Sequence, residues 1–250
     1  MSTSVPTSMS TGPADPLLPI AEFVGRRLAD PRPGQPRTMV IGLSGGVSVG
    51  KSTTATALAA VLEDHLQLAT GVVSGDGFLH PNRVLAERDL LDRKGFPESY
   101  DTDAIETFLA AARRALSPLS VPIYDHLTHD VLPEPRLLEP PPLLLFEGVN
   151  ALRFAAEFDL SIYIDAAESS MRQWYLDRAI ELRRRSQTEP SAFFASFADL
   201  TEEQFVGLLL QVWETVNLPN LSEYIEPTRA AADIIIMKGP DHTIEAITFR

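Results

Sequence analysis

Short, almost continuously apolar runs alternate with longer stretches of helical periodicity along most of this chain. The apolar runs predict strands at 38–43, 69–74, 142–148, 160–166 and 232–237, with a closing strand near 243–249. The periodic stretches predict helices at 51–66, 81–92, 102–116, 168–186 and 201–217. Strands this apolar are normally covered on both sides. We therefore expect an α/β fold, with a mostly parallel sheet and helices on both faces.

The N-terminal part of the chain departs from this alternation. Residues 1–15 are rich in Ser, Thr and Pro and lack apolar periodicity, which predicts a disordered tail. Residues 16–36 combine one amphipathic helix, near 17–29, with the linker PRPGQP at 31–36. We expect residues 37–250 to form a single domain, because this length suits one large α/β unit.

Composition and charge exclude several kinds of function. The 250 residues include no cysteine, so thiolate metal sites and disulfides are excluded and a reducing cytoplasm is the expected setting. No apolar run reaches about 18 residues, so we expect no membrane association. The net charge of −13 argues against a nucleic-acid partner, and the basic run at 183–185 is typical of a solvated helix face.

A glycine-rich loop follows the first predicted strand. Its pattern G-x-x-x-x-G-K-S, in a strand–loop–helix context, is that of a P-loop NTPase fold, whose backbone amides bind nucleotide phosphates. Lys51 is expected on the β- and γ-phosphates and Ser52 on Mg²⁺. The predicted ATP-binding loop comprises Gly45, Gly46, Val47, Ser48, Val49, Gly50, Lys51, Ser52 and Thr53.

Two carboxylates help to indicate which kind of P-loop protein this is. The chain has no N/T-K-x-D motif of a GTPase, and the strand at 142–148 ends in the single Glu147 rather than in a carboxylate pair. Asp76 follows the second strand, in the crevice where open α/β sheets bind ligands, and can accept a proton from an attacking hydroxyl. The pattern favours a metabolite kinase, with Glu147 near Mg²⁺.

Several longer segments, in this order, resemble the bacterial type I pantothenate kinases. They are DGFLHPN (76–82), KGFPESYD (94–101), YDHLTHD (124–130), FEGVN (146–150), SIYIDA (161–166), WYLDR (174–178), NLPNL (217–221) and EPTR (226–229). The resemblance covers residue 38 to the C terminus. It implies an ATP- and Mg²⁺-dependent homodimer that phosphorylates the primary hydroxyl of pantothenate, the first step of coenzyme A biosynthesis.

The same resemblance implies roles for individual residues. Asp76 is the implied catalytic carboxylate, acting with Lys51 and Arg178, and Lys94 is implied near the acceptor. The pantothenate pocket is implied to be lined by Tyr124, His126, Tyr175, Arg178 and Asn217. Lys238 and His242, spaced as K-x-x-x-H, match positions that flank the adenine.

Some of these residues have simpler interpretations. Tyr175 and Arg178 share one helix face, where arginine can hold a carboxylate or the transferring phosphoryl group, but Arg178 can instead pair with Asp177 or Glu181 at the surface. The Asp and His residues at 125–130 suggest a divalent metal site, although such spacing is common in ordinary loops. We prefer His126 as a hydrogen-bonding substrate group.

The chain also departs from the family it resembles. The segment before the P-loop is shorter than in typical members. Thr56, Ala179 and Leu182 stand where the family has an arginine and aromatic residues that it uses to bind coenzyme A, its feedback inhibitor. We therefore expect weakened feedback, and we expect the small Ala179 to open volume beside the pantothenate pocket. Asp125 and Tyr224 replace a serine and an asparagine.

These departures leave two alternatives to a pantothenate kinase. One is a related P-loop kinase that acts on another small hydroxyl metabolite. The other is a nucleotide-binding regulatory module that has lost turnover, against which the retention of Lys51, Ser52, Asp76 and Arg178 argues.

Overall fold

The computed structural model describes residues 15–29, 38–186 and 192–250. The predicted linker at 31–36, and the predicted tail except for Asp15, lie outside these residues. Within the described part of the chain, no helix has the length and apolar character needed to cross a membrane.

The strands match the apolar runs closely. They are β1 Met39–Gly45, β2 Thr70–Ser74, β3 Leu119–Val121, β4 Tyr124–Asp125, β5 Asp130–Val131, β6 Arg136–Leu138, β7 Leu143–Glu147, β8 Leu160–Ala166, β9 Ile234–Lys238 and β10 Ile244–Phe249. Six of them form the main sheet in the order β10-β9-β8-β1-β7-β2. All neighbours in it are parallel except β10, which runs antiparallel to β9. The predicted mostly parallel sheet is confirmed.

The helices are α1 Leu18–Ala29, α2 Lys51–Leu66, α3 Asn82–Glu87, α4 Thr102–Arg113, α5 Glu168–Ser186, α6 Glu202–Val212 and α7 Leu218–Asn220. Two are shorter than predicted, because Asp89 and Ala115 adopt positive φ angles of 54° and 49° that end helical geometry after α3 and α4. The predicted helix at 201–217 continues beyond α6 as a π turn, Trp213–Asn217, and a second π turn, Leu221–Ile225, follows α7.

Alternating side chains of the central strands enter two apolar layers. Ile41 and Leu145 belong to the layer that contains α1 and α2. Val40 and Leu144 belong to the layer on the opposite face, with Phe108 of α4. Because helices cover both faces, the carboxyl ends of β1, β2 and β7 meet at one open edge, where ligands bind in this kind of sheet.

Candidate active site

The P-loop connects β1 directly to α2. Gly45 and Gly50 adopt φ angles of +155° and +83°, a region that L side chains rarely occupy. A Cβ at Gly45 would also lie 2.4 Å from the Ile164 carbonyl oxygen. The two glycines thus let the loop turn tightly, and α2 begins at Lys51 with its free amides facing the loop.

Lys51, Ser52 and Glu147 meet at the sheet edge. Lys51 Nζ donates to the Gly46 carbonyl at 2.8 Å, and Ser52 Oγ donates to Glu147 Oε1 at 2.9 Å. Burial lowers the pKa of Lys51, while Glu147 and Asp76 oppose that shift. Burial raises the pKa of Glu147, which is only 3% exposed, and Asp76 raises it further. The site thus holds a cation and two carboxylates in one crevice.

Asp76 lies in the short 3₁₀ helix Gly75–Phe78 that follows β2. Its amide donates to Ser74 Oγ at 3.4 Å, and its Oδ1 accepts from the Tyr100 hydroxyl at 3.4 Å. Burial raises the pKa of Tyr100 well above its usual value, so this hydroxyl keeps its proton and remains a donor. A buried tyrosine therefore orients the carboxylate that the sequence predicts to be catalytic.

The predicted acceptor residues gather beside Asp76. Lys94 Nζ lies 4.9 Å from the centre of the Tyr124 ring, and the Tyr124 and His126 rings pack edge to face at 5.1 Å. Lys94 also donates to Asn82 Oδ1 at 2.6 Å and to the His129 carbonyl. Desolvation lowers the pKa of His126, against the effect of Asp76. Lys94, Tyr124 and His126 therefore all lie near the Asp76 carboxylate.

Helix α5 contributes Tyr175 and Arg178 to the same cleft. Arg178 lowers the pKa values of Lys51 and His126, so its charge acts across the site. Among the described residues Arg178 has no ion pair. The predicted alternative, pairing with Asp177 or Glu181, is not observed.

The two carboxylates near Arg178 have other partners. Glu181 binds Arg184 and Arg185, and Asp177 accepts from Gln173 at 2.9 Å. Burial raises the pKa of Tyr175, and the nearby Asn217 side chain opposes that shift.

Lys238 contacts the P-loop, and His242 lies near Lys238. Lys238 is 7% exposed and donates to the Val49 carbonyl at 3.0 Å and to Thr54 Oγ1 at 2.9 Å, so it holds the P-loop in place. His242 stacks on Trp174 with ring centres 3.8 Å apart. The adenine-flanking role of Lys238 and His242 stays a prediction, and the sequence did not predict their contacts with Thr54 and Trp174, which arise only from the tertiary fold.

Packing changes one expectation of the sequence. Ala179 does not border an open volume: it is 4% exposed and packs with Phe205 and Leu209 of α6. Tyr224, which stands where the family has an asparagine, packs edge to face on Phe96 at 5.8 Å. The described residues contain no cluster of three or more His, Asp or Glu side chains that fits a metal ion, so a metal site at 125–130 is not supported.

Comparisons with known proteins identify relatives of this chain. The profile of the phosphoribulokinase/uridine kinase family matches residues 40–192. The pantothenate kinase of Myxococcus xanthus (strain DK1622) is 41% identical over 84% of this chain and 71% of that protein. The pantothenate kinase of Sorangium cellulosum (strain So ce56) is 42% identical over 90% of this chain and 78% of that protein.

Solved structures add evidence on the fold alone. The D-glycerate 3-kinase of Cryptococcus neoformans var. grubii superposes with a TM-score of 0.68 at 15% identity, covering 94% of this chain and 99% of that one. The P-loop kinase fold predicted from the sequence is thus confirmed, and so is the family resemblance. On the identity and coverage of the relatives and the extent of the profile match, the chain belongs to the pantothenate kinase family, within the phosphoribulokinase/uridine kinase family.

Proposed function

We propose that this chain transfers the γ-phosphoryl group of ATP to the primary hydroxyl of pantothenate, the first step of coenzyme A biosynthesis. The observation that carries the proposal is the meeting of Lys51 and Asp76 in one crevice, close enough for the carboxylate to oppose the lowered pKa of the lysine. The nucleotide and acceptor sides of the predicted site are therefore adjacent. The family membership supports ATP as the donor and an alcohol as the acceptor.

The transfer itself needs few protein groups. The acceptor oxygen attacks the γ-phosphorus, the bond from that phosphorus to the bridging oxygen of ADP breaks, and the hydroxyl proton passes to Asp76. Lys51 and the P-loop amides stabilise negative charge on the phosphates. The Tyr100 hydroxyl, held on Asp76 Oδ1 at 3.4 Å, keeps the carboxylate directed at the acceptor.

Ser52 and Glu147 are the residues that would hold Mg²⁺. Hydroxyl and carboxylate oxygens are the ligand types that Mg²⁺ prefers, and these two are already 2.9 Å apart. Burial raises the pKa of Glu147, a penalty on its charge that a nearby cation would offset. A bound Mg²⁺ supplies charge neutralisation on the β- and γ-phosphates. The fit of the donor set supports this assignment.

The acceptor pocket suits pantothenate, which offers one carboxylate, amide groups and a primary hydroxyl. Arg178 has no ion pair among the described residues, and it can bind either the carboxylate or the transferring phosphoryl group. Tyr175 and Asn217, whose side chains lie close together, provide further polar groups. Lys94, Tyr124 and His126, which lie near Asp76, complete the proposed pocket.

Weak feedback by coenzyme A is part of this proposal. Thr56 lies exposed on α2 and carries no charge for an inhibitor phosphate. Phe205 and Leu209 fill the space next to Ala179 with apolar side chains. The packing weakens the case for an enlarged pocket, so it favours pantothenate over a bulkier related metabolite. The homodimer remains a prediction that rests on family resemblance.

An acceptor screen tests the proposed function. ADP release is measured with Mg²⁺ and ATP in the presence of pantothenate, uridine or other small alcohols. We expect release with pantothenate and none above background with uridine. Release with a different alcohol alone would favour the related-kinase alternative. ATP binding without release for any acceptor would favour a regulatory module.

A further inference from the structure

Two buried asparagine side chains converge on one backbone carbonyl. Asn150 Nδ2 donates to the Gly95 carbonyl at 2.7 Å, and Asn220 Nδ2 donates to the same oxygen at 2.8 Å. The asparagines are only 5% and 7% exposed. They lie on different elements, one just after β7 and the other at the end of α7. Gly95 directly follows Lys94 and has a φ angle of +93°.

The contact is made at an energetic cost. Asn150 Oδ1 and Asn220 Oδ1 are the two buried side-chain polar atoms that have no protein partner in residues 15–29, 38–186 and 192–250. A buried polar group left unpaired destabilises the folded protein, because it has lost its hydrogen bonds to water. Apolar side chains at both positions would avoid that cost. The two side chains therefore contribute through their Nδ2 donors, both of which bond to the Gly95 carbonyl.

Asn150 ends a segment that also contacts the P-loop. Within residues 147–150, the Glu147 carboxylate accepts from Ser52, and the Val149 carbonyl accepts from Ser44 Oγ at 2.7 Å. The same four residues thus touch the nucleotide side at one end and the acceptor loop at the other. Gly95 lies in the same loop, 94–101, as Tyr100, the donor to Asp76.

Asn220 reaches Gly95 from the other side of the cleft. It lies between the π turns Trp213–Asn217 and Leu221–Ile225, and π geometry inside helices is frequent at functional sites. The first π turn ends at Asn217, whose side chain lies near Tyr175. One irregular helical stretch therefore directs one amide at the pocket and a second at the loop that carries Lys94.

We infer that Asn150 and Asn220 are positioning residues that jointly hold the Gly95 carbonyl and thereby fix Lys94 and Tyr100 relative to the P-loop. The inference rests on the proposed function, because Lys94 and Tyr100 matter through the acceptor. Either amide satisfies the carbonyl when the other is absent. Loss of both leaves the carbonyl unpaired and releases the loop at 94–101.

The test is a double-mutant cycle of Asn150→Ala, Asn220→Ala and the double variant. Each single variant should raise the KM for pantothenate about threefold, and the double variant should raise it about 100-fold, more than the product of the singles. The KM for ATP should stay within about twofold of the unmodified enzyme. Val24→Ala, a buried position in α1, is the control for lost stability alone.

Amide hydrogen exchange of the peptide at 94–101 gives a readout that needs no acceptor. We expect faster exchange in this peptide for the double variant, and unchanged exchange there for Val24→Ala. Additive singles, or a double variant with normal exchange at 94–101, would overturn the inference. If the double variant does not fold, each single variant must raise the KM for pantothenate about threefold with the KM for ATP unchanged, or the inference fails.

The two readouts separate the inference from the proposed function. Absence of pantothenate turnover in the unmodified enzyme, with faster loop exchange in the variants, would refute the acceptor but leave the positioning role intact. Pantothenate turnover in the unmodified enzyme, with unchanged loop exchange in the variants, would support the acceptor but refute the positioning role.

Discussion

The Ser52 hydroxyl donates a hydrogen bond to Glu147 Oε1 at 2.9 Å, joining the first turn of α2 to the end of β7. The contact places the two predicted Mg²⁺ ligands side by side. Glu147 is 3% exposed, and its pKa is raised mainly by burial, so a neutral side chain is tolerated there.

Glu147→Gln should therefore fold normally but need more Mg²⁺. We expect the Mg²⁺ concentration for half-maximal ADP release to rise about tenfold, because one charge-assisted ligand interaction is lost. Thermal unfolding provides the check on folding, and Glu106→Gln, at an exposed position of α4, is the matched control. An unchanged Mg²⁺ requirement would remove Glu147 from the metal site.

Asp76→Asn should lower kcat by at least about 10², with ATP binding nearly unchanged, because the carboxylate acts on the acceptor hydroxyl. Lys51→Ala should weaken both kcat and ATP binding. Steady-state kinetics with nucleotide-binding titrations separates the two variants. Near-normal turnover of Asp76→Asn would show that another group accepts the proton.

Coenzyme A should inhibit this enzyme weakly. An arginine contact to a phosphate typically contributes about 1.5–3 kcal/mol, and Thr56 cannot replace it. Thr56→Arg at this exposed position should tighten inhibition by at least about tenfold, while Thr56→Gln should not. Ala179→Phe is a poor partner for this test, because its neighbours already fill the space. Tight ATP-competitive inhibition of the unmodified enzyme would contradict the prediction.

Stability should fall in mild acid because of His129. Burial, together with Lys94, lowers the pKa of His129 to about 4. The unfolded chain, with an ordinary histidine pKa near 6.5, then binds more protons between pH 6.5 and pH 4. The stabilising contribution of neutral His129 is complete above pH 6.5 and is lost as the pH falls through that window. The loss amounts to about 1–2 kcal/mol after allowance for partial exposure.

Urea unfolding at pH 7 and pH 5 measures this effect. The unmodified protein should lose more stability between the two pH values than His129→Gln does. His65→Gln, at an exposed position of α2, should behave like the unmodified protein. Equal losses for His129→Gln and the unmodified protein would refute the assignment.

The sequence predicted the main sheet well because its strands are apolar throughout and burial on both faces demands that pattern. It did not predict the two-stranded antiparallel sheets β3–β6 and β4–β5, whose strands have only two or three residues. It predicted a helix over 201–217 but no π turn, since nothing in the spacing of Trp213 and Asn217 distinguishes the two geometries.

The candidate site likewise has parts that the sequence predicts and parts that it does not. The loop at 45–53 was predictable because a local motif builds it, and Asp76 because it follows the end of a neighbouring strand. The Asn220 amide meets Gly95 across 125 positions of chain, and Lys238 meets Val49 across 189. Such pairings come from the packing of distant elements. No local pattern encodes them.

Phosphorylation of pantothenate is tested by identifying the product. The enzyme is incubated with ATP, Mg²⁺ and pantothenate, and the product is analysed by ³¹P NMR and mass spectrometry, with Asp76→Asn as the control. We expect one new phosphomonoester on the primary hydroxyl of pantothenate, formed in equal amount to ADP and nearly absent with Asp76→Asn. ADP formed without phosphorylated pantothenate, or a phosphate on the secondary hydroxyl, would contradict it.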